Sequence, residues 1–334
     1  MLFDELKVAM IAGLSSFVLT ATSAFALSKI FKKIGHLGTD VHKPCKIEVP
    51  ESVGLALAIG ISTSMLLVYA MTKNERALVT AFSVLLATII GLIDDFKTLP
   101  AYVKIASGVI PALPVVLLEA YTPRPLIPLN GFARLTIIYP LLVFLAYTVS
   151  TNGFNMYDAY NGVMLSTALI SMTAMSFIAL MQVSVGIEES SFGFLASVVV
   201  LATVLALLPL NFYPATAFNG DTGSFALGAA YASIAIMGRL EAAAVLLALP
   251  IGLNGFLKIT SVGFRERRSF ERPVEIEGWL IKVKRASRAV SIYTLILSRT
   301  PLSEPEILAV SVLLTGLSSV LALITMYITL VELS

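Results

Sequence analysis

One stretch decides the fold: Gly91-Leu-Ile-Asp-Asp-Phe-Lys-Thr-Leu-Pro-Ala-Tyr-Val-Lys104. It closes an uninterrupted apolar run that begins at Ala77, and two adjacent carboxylates, Asp94 and Asp95, follow that run at once. An Asp at the centre of a bilayer costs roughly 2.5–3.5 kcal/mol, and less near its edge. The pair therefore predicts the end of a membrane helix. Because like charges repel, we also expect a cation or a cationic group beside it.

The composition is that of a membrane protein. The chain is 57% hydrophobic and 13% charged with a mean hydropathy of +0.90, whereas soluble domains carry about 25% charged residues. No nucleic-acid partner is expected. The single cysteine, Cys45, excludes a disulfide within the chain. Acidic Asp4 and Glu5 precede the first apolar segment, so we expect that segment to be a membrane span and not a signal peptide.

The apolar segments predict an all-α polytopic membrane protein, a single transmembrane domain over residues 1–334. About twenty apolar residues cross a bilayer. On that template we expect about ten spans, near 7–30, 52–71, 77–93, 102–118, 135–151, 162–183, 192–210, 223–237, 240–258 and 305–331. A capping box of Ser303 and Glu306 marks the start of the last span. A large loop lies between the last two spans, near residues 259–304.

Basic residues predict the orientation. The loops that follow odd-numbered spans lie near 31–51, 94–101, 152–161, 211–222 and 259–304. Only six of the 23 Lys and Arg residues fall on the opposite side, namely Lys7, Lys73, Arg76, Arg124, Arg134 and Arg239. The positive-inside rule therefore puts those five loops in the cytoplasm and both termini outside. The polar motifs fall in the same loops, which predicts one site on the cytoplasmic face.

Amides and carboxylates recur in the loop after the fifth span. Asn152, Asn155, Asp158 and Asn161 are spaced every three residues, which predicts a polar face at helical or 3-10 spacing. A helix cap would need one such residue, not four. Amide and carboxylate oxygens can coordinate Mg²⁺, and amides can also bind polar groups of a base and a sugar. We therefore expect a functional site and not only a cap.

Two further motifs indicate anion binding. Asn219-Gly-Asp-Thr-Gly-Ser224 opens a helix, where backbone N–H groups favour a phosphate, and Asp221 within it could hold a metal. Arginines near residues 265–272 could clamp a pyrophosphate, or could set topology and contact anionic lipid. Glu51 is either a substrate contact or an ordinary partner of a helix dipole. His42 is expected to be a solvated loop residue, residues 274–283 a hairpin, and residues 287–298 an amphipathic surface helix.

Together, these motifs resemble those of the polyprenyl-phosphate N-acetylhexosamine-1-phosphate transferases. These are ten-span enzymes that move a sugar phosphate from a UDP-sugar to a lipid phosphate. The matching residues are Asp94-Asp95 with Lys104, the series from Asn152 to Gly162, and Gly220-Asp221-Thr222, in that order. The resemblance runs from Gly38 to the last span, so it covers nearly the whole chain.

Other residues indicate the branch of that family. The bacterial members that act on muramoyl-pentapeptide carry a histidine cluster in the last cytoplasmic loop, whereas the two histidines here are His36 and His42. Arg265-Glu-Arg267, Val49-Pro-Glu-Ser-Val-Gly54 and Pro301-Leu-Ser-Glu304 instead resemble segments of the eukaryotic dolichyl-phosphate GlcNAc-1-phosphotransferase. An archaeal enzyme acting on dolichyl phosphate fits best. One departure is Ala159, where the family usually has Gly.

The resemblance implies a role for each site residue. Asn155 and Asp221 would hold Mg²⁺, with Mn²⁺ as an alternative metal. The expected catalytic residues are Asp94, Asp95 and Lys104. The expected substrate-binding residues are Glu51, Asn152, Asp158, Asn161, Gly162, Arg265 and Arg267. Lys104 and Arg267 would grip phosphates, and uridine would lie near Asn161 and Gly162.

The implied reaction converts UDP-GlcNAc and dolichyl phosphate into GlcNAc-pyrophosphoryl-dolichol and UMP, the first step of lipid-linked glycan assembly. The implied partners are UDP-GlcNAc, a polyprenyl or dolichyl phosphate lipid, the cell membrane and a second copy of the chain in a homodimer. The same chemistry with another UDP-HexNAc or with undecaprenyl phosphate is an alternative. A cation-coupled transporter or flippase, with the carboxylates as its ion site, is another. Direct in-line attack is favoured over a double displacement through an aspartyl intermediate.

Overall fold

The computed structural model describes residues 2–263, 273–284 and 290–333. These residues form helices joined by short loops and three hairpins. The helices are α1 (Leu2–Ile34), α2 (Leu55–Thr72), α3 (Glu75–Lys97), α4 (Ala101–Ser107), α5 (Leu113–Leu117), α6 (Tyr139–Tyr157), α7 (Val163–Ser184), α8 (Glu189–Asn211), α9 (Gly220–Met237), α10 (Glu241–Leu247), α11 (Leu249–Val262), α12 (Ile292–Leu297) and α13 (Glu304–Leu333).

Helices overlap the predicted spans, but fewer than the expected ten are long and apolar enough to cross a membrane. Among the described residues, six helices are long and apolar enough to cross a membrane, or up to seven when the bent pair α10–α11 is taken as one span. Those two helices meet at 67°. A 3-10 turn at Ile110–Ala112 separates α4 from α5. Pro111, Pro114 and Pro250 lie at these breaks, because proline lacks the N–H that a continuing helix needs.

Three antiparallel hairpins add short strands to the expected all-α fold. They pair β1 (Leu37–Asp40) with β2 (Ile47–Pro50), β3 (Leu126–Ile127) with β4 (Gly131–Phe132), and β5 (Val274–Glu277) with β6 (Leu280–Val283). The third confirms the hairpin predicted over residues 274–283. A backbone bridge from Ile281 to Leu302 ties it to the start of α13. The predicted surface helix over 287–298 is shorter, since α12 begins at Ile292, and residues 285–289 lie outside the described residues.

Helix α9 lies at the centre of the fold. Every residue from Thr222 to Met237 is buried, and the helix packs against α3 and α6. Small residues permit this approach. A Cβ atom added at Gly91 would lie 2.5 Å from the carbonyl oxygen of Asp221, and one added at Gly228 would lie 2.5 Å from the Cα atom of Thr151. The polar start of α9 is therefore held directly against the end of α3.

The loops that the positive-inside rule assigned to one side meet in space. Hydrogen bonds join the end of α3 to the start of α9, the end of α6 to α9, and the α6–α7 turn to β1 and α13. A separate polar group forms at the other end of the helices, where Arg239 pairs with Glu189 and Tyr139 with Glu241. One end of the molecule thus gathers the predicted site residues that the structure describes.

Candidate active site

A lysine lies between two carboxylates where α3, α4 and α9 meet. The Nζ atom of Lys104 is 2.5 Å from Oδ2 of Asp94 and also contacts Oδ2 of Asp221. The other oxygen of Asp94 accepts a hydrogen bond of 2.5 Å from the backbone N–H of Leu99, which fixes the turn that leads to α4. The sequence motifs around Asp94 and Asp221 therefore form one charged centre.

Asn155 of α6 completes this centre. Its side-chain amide donates to Oδ1 of Asp221 and, at 2.9 Å, to the hydroxyl of Ser224. Two carboxylates and a terminal amide are the oxygen-bearing groups that Mg²⁺ prefers. The ammonium of Lys104 bridges the two carboxylates, so their charge already favours a cation between them. The donor set at Asp221 and Asn155 thus fits a divalent metal.

Asp95 binds the first turn of α9. Its carboxylate accepts hydrogen bonds from the backbone N–H groups of Asp221 at 2.7 Å and Thr222 at 3.1 Å. The hydroxyls of Thr222 and Ser52 donate to it at 2.6 and 2.7 Å. An anion at a helix N-terminus satisfies the free N–H groups and complements the helix dipole. Asp95 therefore fixes the position of Asp221.

Asp158 follows the last residue of α6 and belongs to a second polar group. Asn219 donates to its carboxylate at 3.1 Å and to the Oδ1 atom of Asn211 at 3.1 Å, and the same Asn211 atom accepts from the backbone N–H of Gly162 at 3.2 Å. Removal from solvent raises the pKa of Asp158 to about 7; the hydrogen bond from Asn219 opposes this rise, and the nearby carboxylates of Asp221 and Asp95 add to it. This group holds the α6–α7 turn against α9.

The sequence predicts one polar face, but the structure does not place all four side chains on it. They are Asn152, Asn155, Asp158 and Asn161. Helix α6 ends at Tyr157, so the last two of these residues lie in a turn that Gly162 closes with φ +75°. Asn161 then points to another group. Its side-chain amide donates to Asp40 at 2.9 Å and its backbone N–H to Glu304 at 2.8 Å. Asn152 is buried and donates to the carbonyl of Thr148 in its own helix.

The remaining predicted residues differ in their placement. Glu51 is half-buried and lies close to Gly38, where an added Cβ atom would be 3.3 Å from its carboxyl carbon. Arg265 and Arg267 lie outside the described residues. His42 lies in a turn, as expected, but it is partly buried and its ring packs 4.4 Å from the ring of Tyr160.

Four residues of these groups were not predicted as site residues from sequence. Asp40 lies in a polar loop, Ser52 precedes an apolar segment and Asn211 follows one. Glu304 lies at a helix start, where acidic residues are common for electrostatic reasons alone. The one available signal was position, since each lies in or beside a loop on the side where the polar motifs gather. Asn211 also interrupts the apolar sequence at the end of α8.

Known proteins share this sequence pattern. Residues 77–239, which run from α3 through α9, match the family described as Glycosyl transferase family 4. Over this segment, slightly less than half of the chain, the protein is similar to glycosyl transferase family 4. The matched segment contains Asp94, Asp95, Lys104, Asn155 and Asp221, the residues that the structure gathers at the start of α9.

Similarity to individual relatives extends beyond that segment. A Saccharolobus solfataricus protein, named as a UDP-N-acetylglucosamine–dolichyl-phosphate N-acetylglucosaminephosphotransferase, is 26% identical over 74% of this chain and 76% of its own length. A Sulfolobus acidocaldarius protein of the same name is 29% identical over 72% and 75%. A Bacillus subtilis protein, named as an undecaprenyl-phosphate N-acetylglucosaminyl 1-phosphate transferase, is 26% identical over 74% and 69%.

Proposed function

We propose that the protein transfers GlcNAc-1-phosphate from UDP-GlcNAc to a membrane polyprenyl phosphate, with dolichyl phosphate as the acceptor, and releases UMP. The observation that carries the proposal is the charged centre of Asp94, Lys104, Asp221 and Asn155 at the ends of membrane helices. A lipid phosphate can reach such a position from the bilayer and a nucleotide sugar from water. The names of the archaeal relatives support the choice of donor and acceptor.

The reaction joins two anions, so its main demand is electrostatic. A phosphate oxygen of the lipid attacks the phosphorus atom next to the sugar. The bond from that phosphorus to the bridging oxygen breaks, and UMP leaves with that oxygen. Lys104 would bind the phosphates and stabilise the charge that develops on the transferring group. Asn155 and Asp221 would hold Mg²⁺, which when bound screens the repulsion and stabilises the leaving phosphate.

The two adjacent carboxylates would act differently. Asp95 receives four hydrogen bonds from Ser52, Asp221 and Thr222, so we assign it to holding the start of α9. Asp94 faces Lys104 and would orient that lysine toward the acceptor phosphate. Little proton transfer is required, because the second pKa of a phosphate monoester is near 6. These contacts support direct in-line attack, since neither carboxylate is without a partner.

The test is a transfer assay with purified protein in detergent or nanodiscs. UDP-GlcNAc and UDP-GalNAc are each paired with dolichyl phosphate and undecaprenyl phosphate, with and without Mg²⁺. We expect lipid-linked sugar and UMP from UDP-GlcNAc with dolichyl phosphate, and loss of both when the metal is chelated. If another donor and acceptor are preferred, the proposed substrates are wrong, although the type of reaction stands. Absence of transfer to either lipid would refute the proposed function.

A further inference from the structure

Four side chains from three distant parts of the chain close a ring beside the α6–α7 turn. Glu304, at the start of α13, accepts a hydrogen bond of 2.8 Å from the backbone N–H of Asn161 and forms an ion pair with Lys43. Lys43 is also 3.3 Å from Asp40. Asp40 in turn accepts a hydrogen bond of 2.9 Å from the side-chain amide of Asn161. The backbone N–H and the side-chain NH₂ group of Asn161 are therefore both held by the same ring.

The ring is almost completely removed from solvent. The side chains of Lys43 and Glu304 are each 2% exposed and that of Asp40 is 4% exposed. Lys43 also lies over the ring of Tyr213, 4.2 Å from its centroid. Packed apolar residues of similar volume often stabilise a protein as well as a buried ion pair does. Stability alone therefore does not explain the ring, whereas its directional hydrogen bonds give Asn161 one orientation.

That orientation determines which atom of Asn161 can meet a ligand. An ionised Asp40 carboxylate only accepts hydrogen bonds, so it holds the Nδ2 end of the amide. No described residue donates a hydrogen bond to the Oδ1 atom of Asn161. The side chain is thus set to accept a hydrogen bond from an N–H or O–H group. Such groups occur on the base and the sugar of a nucleotide sugar.

We propose that Glu304 is a positioning residue for the donor substrate. It holds the backbone of Asn161 directly and its side chain through Lys43 and Asp40, and so presents the α6–α7 turn to UDP-GlcNAc in one geometry. This inference rests on the proposed function. It places the effect of Glu304 on donor binding, whereas Asp94 and Lys104 pair with each other and, through Lys104, with Asp221.

A metal site is the other chemistry that this cluster offers. Single ligand atoms of Asp40, His42 and Glu304 lie within 4.8 Å of one another. However, the ammonium of Lys43 contacts both carboxylates and these side chains are at most 4% exposed, so a cation from solvent has no access to them, whereas the side chain of Asp221 in the charged centre is 25% exposed. The positions therefore favour an ion-paired ring over a bound cation.

The test compares Glu304→Gln with Glu306→Gln. The second variant removes a carboxylate of the same helix turn, which is exposed and bonds only to Ser303 among the described residues. In Glu304→Gln, an NH₂ group replaces one of the two oxygens and faces either Lys43 or the Asn161 N–H. We expect the KM for UDP-GlcNAc and the dissociation constant of UMP to rise about tenfold or more. The KM for dolichyl phosphate should stay within about twofold, and Glu306→Gln should resemble the wild type.

A triple variant, Asp40→Asn with Lys43→Met and Glu304→Met, guards against misfolding of the single one. It replaces all three buried charges by uncharged side chains, so no unpaired charge is left in the core, yet it removes the acceptor of the Asn161 N–H. We expect a melting temperature close to that of the wild type and a raised donor KM. The proposal is overturned if either variant keeps wild-type donor KM and UMP affinity, or if the KM values of both substrates rise equally. A wild-type protein that binds UMP but does not transfer would refute the proposed function alone, and UMP affinity then decides this inference.

Discussion

Lys104 is the residue on which the electrostatic account depends most. Its ammonium lies between Asp94 and Asp221, and no other described Lys or Arg contacts either carboxylate. Replacing it by Met should lower kcat about 100-fold or more, because a preorganised charge at the transferring phosphate is lost. Lys97→Met is the matched control, since Lys97 is exposed and only seven residues away. Initial rates at saturating Mg²⁺ and both substrates measure the effect; equal rates for the two variants would contradict it.

Asp158 predicts a pH dependence of stability. Its folded-state pKa is raised to about 7 by desolvation, whereas an Asp in an unfolded chain titrates near pH 3.9. Between these values the folded protein binds more protons than the unfolded one, so the contribution of Asp158 to stability falls as pH rises through this window. The side chain at position 158 of the variant Asp158→Asn cannot ionise. The melting temperature of this variant minus that of the wild type should therefore increase from about pH 5 to about pH 8. A difference that does not change with pH would contradict this.

Site residues could be predicted from sequence where several polar residue types recurred at short spacing. Asn155 and Asp221 belong to motifs of that kind, and they contact each other in the structure. Asp95 was predicted as a catalytic residue, but its four hydrogen bonds to other side chains and to the start of α9 depend on tertiary contacts that its sequence position does not contain. Glu304 could not be predicted, because a glutamate at a helix start is equally explained by the helix dipole.

The close packing of α3 against α9 fixes the position of Asp221 at the start of α9. A Cβ atom at Gly91 would lie 2.5 Å from the carbonyl oxygen of Asp221 and 2.7 Å from the Cα atom of Thr222. Gly91→Ala should therefore displace the start of α9, lower the melting temperature and reduce transfer about tenfold or more.

Gly316→Ala is the control for that change. Gly316 also lies within a helix, but an added Cβ atom there has no atom within 4 Å. This variant should keep wild-type activity and melt at the same or a higher temperature, since Ala favours a helix over Gly. Wild-type activity in Gly91→Ala would show that the close approach of α3 and α9 is not required.

Helices were predictable from apolar length, but their interruptions were not. The predicted spans near 102–118 and 240–258 are each two helices, broken at prolines that the apolar pattern conceals. The polar series after residue 152 has helical spacing, yet α6 ends at Tyr157 because the following turn is held by Asn219, Asp40 and Glu304. Such tertiary contacts decide where a helix with a polar end stops.

At the scale of the whole molecule, the distribution of basic residues predicts that the site faces the cytoplasm. Cys45 tests this directly, because it is the only cysteine, is exposed, and lies between β1 and β2 on the side of the site. A membrane-impermeant maleimide should label it in inside-out vesicles and not in intact cells. In Cys45→Ser with Ser184→Cys, the thiol lies at the exposed end of α7, and the pattern should reverse. Labelling of Cys45 in intact cells would contradict the orientation.

The central claim is that the polar centre at the start of α9 joins a nucleotide sugar to a membrane phosphate. The most direct measurement is the release of UMP from UDP-GlcNAc by the purified protein as dolichyl phosphate is added. The account predicts UMP in equimolar amount with the lipid product and no UMP without the lipid. In Asp221→Asn the rate should fall by at least about 100-fold. UMP release that is independent of the lipid, or that proceeds at the wild-type rate in Asp221→Asn, would contradict it.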